Sequence, residues 1–265
     1  MPALPRILTV AGSDSGGGAG IQADLKAITV LGGFGASVVT ALTAQNTLGV
    51  SGVFEVPVDF VALQFDAVAS DIGADAAKTG MLASSGIVRL VAQKVVEHRI
   101  PNLVVDPVML AKSGDALLSD EARRTILDAL IPLAALVTPN LPEAAALSGL
   151  PVRTPDDMRR AAERILASGV RNVLVKGGHL EGRALDILYD GQEFVEFSSD
   201  RIHTKNTHGT GCAYSAAMAT FLGHGHPVRE AVRQAKAFIT TAIRHGLSIG
   251  RGHGPTNPYA WISRS

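Results

Sequence analysis

Short apolar runs alternate with longer segments of helical period along the whole chain. Residues 7–11 and 36–42 are short and strongly apolar, as in buried strands, and residues 21–31 between them repeat apolar positions at helical spacing. The same alternation continues to the C-terminus, with no linker or internal repeat. It predicts a single α/β domain over residues 1–265, with a mostly parallel central sheet and helices on both faces. Further strands are predicted at 76–80, 103–106, 135–138 and 172–176, a hairpin at 185–189 and 193–197, and helices at 60–70, 84–98, 120–130, 141–147, 156–167, 213–222 and 228–244.

Composition narrows the class of protein. Apolar residues make up 46% of the chain and charged residues 18%, which is typical of a folded globule. Lys plus Arg and Asp plus Glu both total 24, so no overall charge attracts nucleic acid or an anionic membrane. A single cysteine excludes an internal disulfide and fits a reducing compartment. No apolar run is long enough to span a membrane. We therefore expect a soluble cytoplasmic protein with neither nucleic acid nor membrane as a partner.

The most informative segment, residues 206–218, reads NTHGTGCAYSAAM. The turn formed by Gly209, Thr210 and Gly211 leads into an Ala-rich helix, so its N–H groups and the helix dipole can bind a phosphate-like anion together. Cys212 lies at the junction, where we expect the helix N-terminus to lower its pKa. This pattern predicts phosphoryl or acyl transfer. The alternative is a loop before a buried helix whose cysteine only packs.

Polar side chains near the predicted strand ends are candidate ligand contacts. Asp24 lies about one turn into the helix after the Gly-rich loop 12–20, where it either complements the dipole or accepts hydrogen bonds from a ligand. Gln45 directly follows the strand at 36–42, and its amide suits a ring nitrogen beside an amino group, or else bonds its own loop. Met81 follows another strand and either fills the core or packs against a flat ring.

Carboxylates at two more strand ends suggest a cation site. Asp106 ends an apolar strand, where an unpaired carboxylate is costly to bury, so a cation or a phosphate-binding lysine is its expected partner. Asn140 and Glu143 are spaced i,i+3 at a helix start and can share one face. Mg²⁺ keeps waters and needs only one or two carboxylates. A capping box explains the same two residues without a metal.

Lysines supply candidate phosphate contacts. Lys176 ends a strand and precedes two glycines, which allow close approach of a phosphate; a solvated strand end is the alternative. Lys112 and Lys205 are weaker versions of the same pattern, and Lys236 is interpreted as part of a solvated helix face. Three histidines lack metal-ligand spacing and are interpreted as structural or peripheral: His179, His203 and His208.

Several long motifs, in order, resemble the hydroxymethylpyrimidine/phosphomethylpyrimidine kinases of thiamine biosynthesis, within the ribokinase superfamily. The matching segments are VAGSD at 10–14, GAGIQADLK at 18–26, TALTAQNT at 40–47, DPVM at 106–109, TPNLPE at 138–143, KGGH at 176–179 and NTHGTGC at 206–212. The resemblance implies an α/β/α sandwich, a homodimer, and ATP- and Mg²⁺-dependent phosphorylation of a small pyrimidine and then of its monophosphate.

The resemblance also implies roles for individual residues. Cys212 occupies the position of the aspartate base of related sugar kinases, and Lys176 contacts ATP phosphates. The remaining roles are the pyrimidine site (Asp24, Gln45, Met81), Mg²⁺ and its waters (Asp106, Glu143, with Asn140), and the anion hole (Gly209, Thr210, Gly211). Two other functions stay open: a pyridoxal or pyridoxine kinase, and a non-catalytic protein that binds a vitamin precursor.

Overall fold

The computed structural model describes residues 4–109, 120–178, 180 and 182–263. Within these ranges nine strands form one sheet in the order β3-β2-β1-β4-β5-β6-β7-β8-β9. Parallel pairing from β2 through β7 and antiparallel pairs at both edges confirm the α/β class. The strands are β1 (Arg6–Asp14), β2 (Phe34–Asn46), β3 (Gly49–Glu55), β4 (Ala76–Thr79), β5 (Leu103–Val105), β6 (Leu136–Val137), β7 (Val173–Gly177), β8 (Ala184–Tyr189) and β9 (Phe194–Ser199).

Helices cover both faces of the sheet, which makes the molecule a three-layer sandwich. No helix among the described residues is both long and apolar enough to cross a membrane. The helices are α1 (Gly20–Val30), α2 (Val58–Asp71), α3 (Ser85–Glu97), α4 (Asp120–Thr125, continued by a π-helical turn at Ile126–Leu130), α5 (Leu141–Ser148), α6 (Pro155–Leu166), α7 (Thr210–Gly223) and α8 (Val228–Arg244).

Alternation along the strands divides the core in two. Leu8 and Val105 point to the face covered by α2, α3, α5 and α6. Ile7 and Val104 point to the opposite face, against α1, α7 and α8. Successive side chains of a strand point to opposite faces, so short apolar runs without polar alternation are what a sheet covered on both sides requires.

The edge of the sheet beyond β2 differs from the prediction. The strand predicted at 36–42 runs on to Asn46 because it pairs with β3, an antiparallel strand that the apolar pattern did not indicate. The side chains of β3 are mostly exposed, and this strand contains Gly49 and Gly52, so it lacks the pattern of a buried strand. The prediction that Gln45 follows a strand was therefore wrong: it lies within β2, opposite Val50.

The start of α7 is also earlier than predicted. The helix begins at Thr210 rather than at residue 213, with Gly209 as its N-cap residue. Thr210, Gly211 and Cys212 therefore form the first helical turn, where backbone N–H groups lack helical partners. The carboxyl ends of the parallel strands open toward this turn.

Candidate active site

A cavity of about 1100 Å³ lies along the carboxyl edge of the parallel strands. Its wall on the β1, β2 and β4 side includes Gly12, Lys78 and Met81, and its wall toward β8 and α8 includes Ala184 and Ile243. The first turn of α7 lies between these two walls. Ten of the predicted site residues line the cavity: Gln45, Met81, Asp106, Asn140, Glu143, Lys176, Gly209, Thr210, Gly211 and Cys212.

The other predicted residues are placed differently. Asp24 and Lys205 are not part of the cavity lining, whereas His203 and His208 are. Lys112 and His179 lie outside the described residues.

The anion turn is built from backbone. The Thr210 N–H and hydroxyl both donate to the Thr207 carbonyl, at 3.3 and 2.7 Å. Within the described part of the chain, the amides of Gly211 and Cys212 have no hydrogen-bond partner. We define these two amides, at the N-terminus of α7, as the anion cradle. Such a pair of unsatisfied donors at a helix N-terminus suits a phosphate oxygen.

Two glycines place the cradle. Gly209 has φ +75°, and a Cβ there would lie 1.8 Å from the Gly18 carbonyl oxygen. Only glycine allows this loop to pack so closely on the first Gly-rich loop. A Cβ on Gly211 would point toward the charged groups of the site, 3.5 Å from Asp106 Oδ2 and 3.7 Å from Lys176 Nζ. The cradle therefore opens directly onto these charges.

Lys176 and Asp106 form an ion pair beside the cradle. Lys176 Nζ donates to Asp106 Oδ1 at 2.8 Å, and Ser215 and Thr138 donate to the same carboxylate at 3.2 and 3.3 Å. Burial by itself would raise the pKa of Asp106, but the nearby ammonium groups of Lys176 and Lys78 outweigh it and hold that pKa below its usual value. Asp106 is therefore a carboxylate at neutral pH.

Asn140 and Glu143 form a complete capping box. Asn140 Oδ1 accepts the Glu143 N–H at 2.9 Å, and Glu143 Oε2 accepts the Asn140 N–H at 2.8 Å. Burial raises the pKa of Glu143 to about 7; Lys176 lowers it and Asp106 raises it further. The capping interpretation is thus confirmed. It is compatible with a second role, because this carboxyl lies in the cavity wall.

The raised pKa of Glu143 predicts a pH-dependent stability. Between pH 4.5 and about 7 the folded protein holds a proton that the unfolded chain releases, so the free energy of unfolding falls as pH rises through this window. The contribution lost is on the order of 3 kcal/mol. Urea unfolding from pH 5 to 8 measures it. Glu143→Gln keeps the acceptor for Asn140 and should remove this slope; parallel wild-type and variant curves would contradict the assignment.

Cys212 does not have the lowered pKa that the helix N-terminus led us to expect. Burial raises the pKa of its thiol to about 11; Lys78 lowers it, whereas Asp24 and Asp106 raise it. The prediction was wrong because desolvation of the thiol, together with the charges of Asp24 and Asp106, outweighs the lowering by Lys78. Cys212 is a neutral thiol at physiological pH.

Asp24 lies beneath the cavity instead of facing it. Its side chain is 0% exposed, and it accepts hydrogen bonds from Lys78 at 2.9 and 3.1 Å and from the Thr9 hydroxyl at 2.6 Å. The side chain does not project over the sheet edge, because Lys78 on β4 holds it below. Lys78 was missed in the sequence: it lies within the short apolar run of β4, which gives no sign of its partner.

Gln45 and His208 meet in the cavity wall on the β1, β2 and β4 side. Gln45 Oε1 accepts from the Thr43 hydroxyl at 3.0 Å, and its Nε2 lies 3.4 Å from His208 Nε2. His208 Nε2 also lies 2.9 Å from Asp14 Oδ2, whose carboxylate accepts the amides of Gly16, Gly18 and Ala19. His208 therefore joins the first Gly-rich loop to the anion turn, so of the two predicted interpretations, structural or peripheral, its contacts support the structural one.

Lys236 is also more constrained than predicted. Its side chain is 12% exposed and donates to Asp186 at 2.7 Å, so it is not on a solvated face. Asp186 accepts the Tyr214 hydroxyl and the Gly177 amide as well. The amphipathic pattern of α8 did not reveal this pair because the carboxylate comes from β8.

A carboxylate–histidine cluster lies elsewhere, on α2 and α3. The ligand atoms of Asp66, Glu97 and His98 lie within 4.8 Å of one another. Lys94 occupies the position between the carboxylates, 2.7 Å from Asp66 and 3.0 Å from Glu97. The ammonium group already compensates the negative charge there, so the cluster is explained by ion pairing.

A ligand on one side of the anion cradle can pass a group to a ligand on the other side. Such a site, at the carboxyl edge of a sheet with this topology, defines a ribokinase-like phosphotransferase. The lysine–carboxylate chemistry beside the cradle suits the transfer of a phosphoryl group. The chain belongs to the phosphomethylpyrimidine kinase family, whose sequence profile matches residues 14–257.

Individual relatives agree with this assignment. The chain is 56% identical over 252 residues to the thiamine biosynthesis bifunctional protein ThiED of Geobacter sulfurreducens, with 95% of this chain matched to about half (51%) of that protein. It is 45% identical to the hydroxymethylpyrimidine/phosphomethylpyrimidine kinase of Bacillus subtilis, covering 98% of this chain and 97% of the relative. An ADP complex of Bacillus subtilis pyridoxal kinase superposes with a TM-score of 0.93 at 39% identity, covering 98% of this chain and 99% of that one.

Proposed function

We propose that the protein transfers the γ-phosphoryl group of ATP to 4-amino-5-hydroxymethyl-2-methylpyrimidine and then to the resulting monophosphate, in thiamine biosynthesis. The proposal rests on the pair of unsatisfied amides at Gly211 and Cys212. These amides lie between two walls of the cavity, one with Gln45 and Met81 and the other with Ala184 and Ile243. Membership of the family supports this substrate.

Each residue then has a definite task. Gln45 presents an amide to the aminopyrimidine, and Met81 packs against its ring. Lys176 lies close enough to the cradle to contact the transferring phosphoryl group, and the cradle amides bind its oxygens. Cys212 contacts the substrate hydroxyl. The hydroxyl oxygen attacks the γ-phosphorus as the bond to the β,γ-bridging oxygen breaks, and ADP departs with that electron pair. The hydroxyl proton passes, directly or through the Cys212 thiol, to an oxygen of the transferred phosphoryl group.

Mg²⁺ fits the acidic side of this site. Asp106 is matched by Lys176, whereas Glu143 is a second buried carboxyl whose pKa is raised by burial and by the charge of Asp106. A cation would relieve that excess negative charge. Asp106 and Glu143, with Asn140 at the same helix start, would hold the ion mainly through waters, as Mg²⁺ prefers. When bound, it would neutralise charge on the phosphates of ATP.

A kinase assay that separates the mono- and diphosphate products tests the proposed function. With hydroxymethylpyrimidine, ATP and Mg²⁺ we expect the monophosphate to appear first and the diphosphate to follow. Absence of both products, with ligand binding intact, would favour a non-catalytic binding protein. Intact Asp106, Glu143, Lys176 and Cys212 argue against that alternative.

Pyridoxal kinase is the second candidate function, because a pyridoxal kinase superposes over nearly the whole chain. Pyridoxal and the aminopyrimidine are both flat six-membered rings that carry a hydroxymethyl group. A competition assay with both acceptors distinguishes them: kcat/KM should be higher for the pyrimidine. A higher value for pyridoxal would reverse the assignment.

Gln45→Ala should weaken pyrimidine binding by roughly 1–3 kcal/mol, because polar groups of the ring lose their partner. Binding of ATP should not change, because the nucleotide is proposed to bind at the wall with Ala184 and Ile243, and Gln45 lies in the opposite wall. Calorimetric titration with each ligand measures both effects. An equal loss for the two ligands would mean that Gln45 only maintains the end of β2.

A homodimer and a cytoplasmic location complete the proposal. Leu42 and Phe54 lie opposite each other on the edge hairpin, 49% and 63% exposed. An apolar edge of this kind is usually covered, here by a second copy of the chain. Light scattering should give twice the monomer mass, and Phe54→Glu should lower it. The cytoplasm is proposed because it supplies the ATP.

A further inference from the structure

Lys78 is a fully buried cation in the floor of the cavity. Its Nζ lies 2.9 and 3.1 Å from the two Asp24 carboxylate oxygens, and its side chain is 0% exposed. A Cβ added to Gly80 would lie 2.8 Å from this nitrogen, so the ammonium sits directly against the backbone that leads to Met81. Lys78 is part of the cavity lining and Asp24 is not. The positive end of the pair is therefore the end nearer the ligand.

Stability alone does not explain this pair. A buried ion pair is often no more stabilising than two apolar side chains of similar volume, because both charges lose their hydration. The two strands and the helix that meet here already pack through apolar residues such as Ile7, Ala27 and Ala76. The positive charge of Lys78 acts on the part of the cavity beside the anion cradle. It contributes a lowering of the pKa to both Cys212 and Asp106.

The two rounds of the proposed reaction place acceptor groups of different charge beside the anion cradle. In both rounds the attacking oxygen must lie at the same distance from the cradle, because the γ-phosphoryl group is bound there each time. In the first round that oxygen belongs to a neutral hydroxymethyl group. In the second it belongs to a phosphate, so the ring must withdraw and the phosphate must occupy the space beside Cys212 and above Lys78.

We propose that Lys78, held by Asp24, is a specificity-determining positioning residue that allows the monophosphate to bind as the second acceptor. The inference rests on the proposed function. A dianionic phosphate must approach the triphosphate of ATP, and the fixed cation beneath it offsets this repulsion. In the second step a phosphate oxygen of the substrate attacks the γ-phosphorus, a P–O–P bond forms, and ADP leaves with the electrons of the broken P–O bond. No proton has to be removed from the acceptor.

The test compares both rounds in the same variants, with hydroxymethylpyrimidine and its synthetic monophosphate as separate substrates. Lys78→Met should lower kcat/KM for the monophosphate at least about ten-fold more than for the alcohol, chiefly through KM. Because this change leaves Asp24 buried and unpaired, the doubly neutral Asp24→Asn/Lys78→Met variant is measured as well, after its folding is checked by thermal unfolding. It should show the same selective loss.

Lys236→Met is the matched control, because it also removes a largely buried lysine from a carboxylate, at the Asp186 pair on β8, four strands away from β4 in the sheet. It should leave the ratio of the two rounds unchanged. Equal losses in both rounds for the Lys78 variants, or no loss, would overturn the inference. The proposed function fails separately, if the wild-type protein phosphorylates neither pyrimidine.

Discussion

Lys176→Met is expected to lower kcat for both phosphorylation steps by about 10³-fold, the upper range for loss of one charge-stabilising group. The variant loses the cation beside the cradle and leaves the Asp106 carboxylate without its 2.8 Å partner. Steady-state kinetics with the pyrimidine and with its monophosphate measure the effect.

The controls separate chemistry from folding. Asp106→Asn/Lys176→Met removes both charges and should stay inactive while recovering thermal stability. Lys205→Met removes an exposed lysine that does not line the cavity and should keep wild-type kinetics. A loss of less than about ten-fold for Lys176→Met would show that this lysine is not a phosphate contact.

Cys212→Ala is expected to lower kcat for the hydroxymethyl acceptor by at least about 10²-fold, the low end for a positioned proton-transfer group. KM for the pyrimidine should change little. The monophosphate should be less affected, because its attacking oxygen carries no proton. Rates of single turnover with each acceptor check this difference.

The thiol is neutral in the free protein, with a pKa near 11. A neutral thiol still carries its own proton, so it can take the hydroxyl proton only as its own passes to an oxygen of the phosphoryl group in transfer. Cys212 would then act as a relay rather than as a base. Cys212→Ser keeps a hydrogen-bonding group and should recover part of the first-round rate. Unchanged first-round turnover in Cys212→Ala would remove this residue from the mechanism.

Local patterns predicted the interior of the fold and the β8–β9 edge well, but they missed the edge strand on the opposite side. The strand at 172–176 and helix α8 were predicted almost to the residue, because buried strands and amphipathic helices have strong periodicity. Strand β3 was missed, because it is an exposed edge strand that contains glycine. An edge strand depends on its neighbour for hydrogen bonds, and the neighbour is not visible in its own sequence.

The same contrast holds for the site. The predicted strand ends indicated that Asp106, Asn140 and Lys176 lie close together, because the parallel strands share a carboxyl edge. The structure places all three in the lining of one cavity. The direction of the Asp24 side chain and the pKa of Cys212 were not predictable in this way. The direction of the Asp24 side chain is set by Lys78, a residue distant in sequence. The pKa of Cys212 is raised by desolvation against the opposing charge of Lys78, and only the assembled sheet determines both.

The packing of Gly209 on Gly18 makes the cradle depend on segments that are far apart in the sequence. The cradle is supported by the first Gly-rich loop, and the His208 backbone is held by Gly254 and Thr256. The two cradle amides therefore take their working positions only once these three segments have packed together, so formation of the anion site should coincide with completion of the tertiary fold.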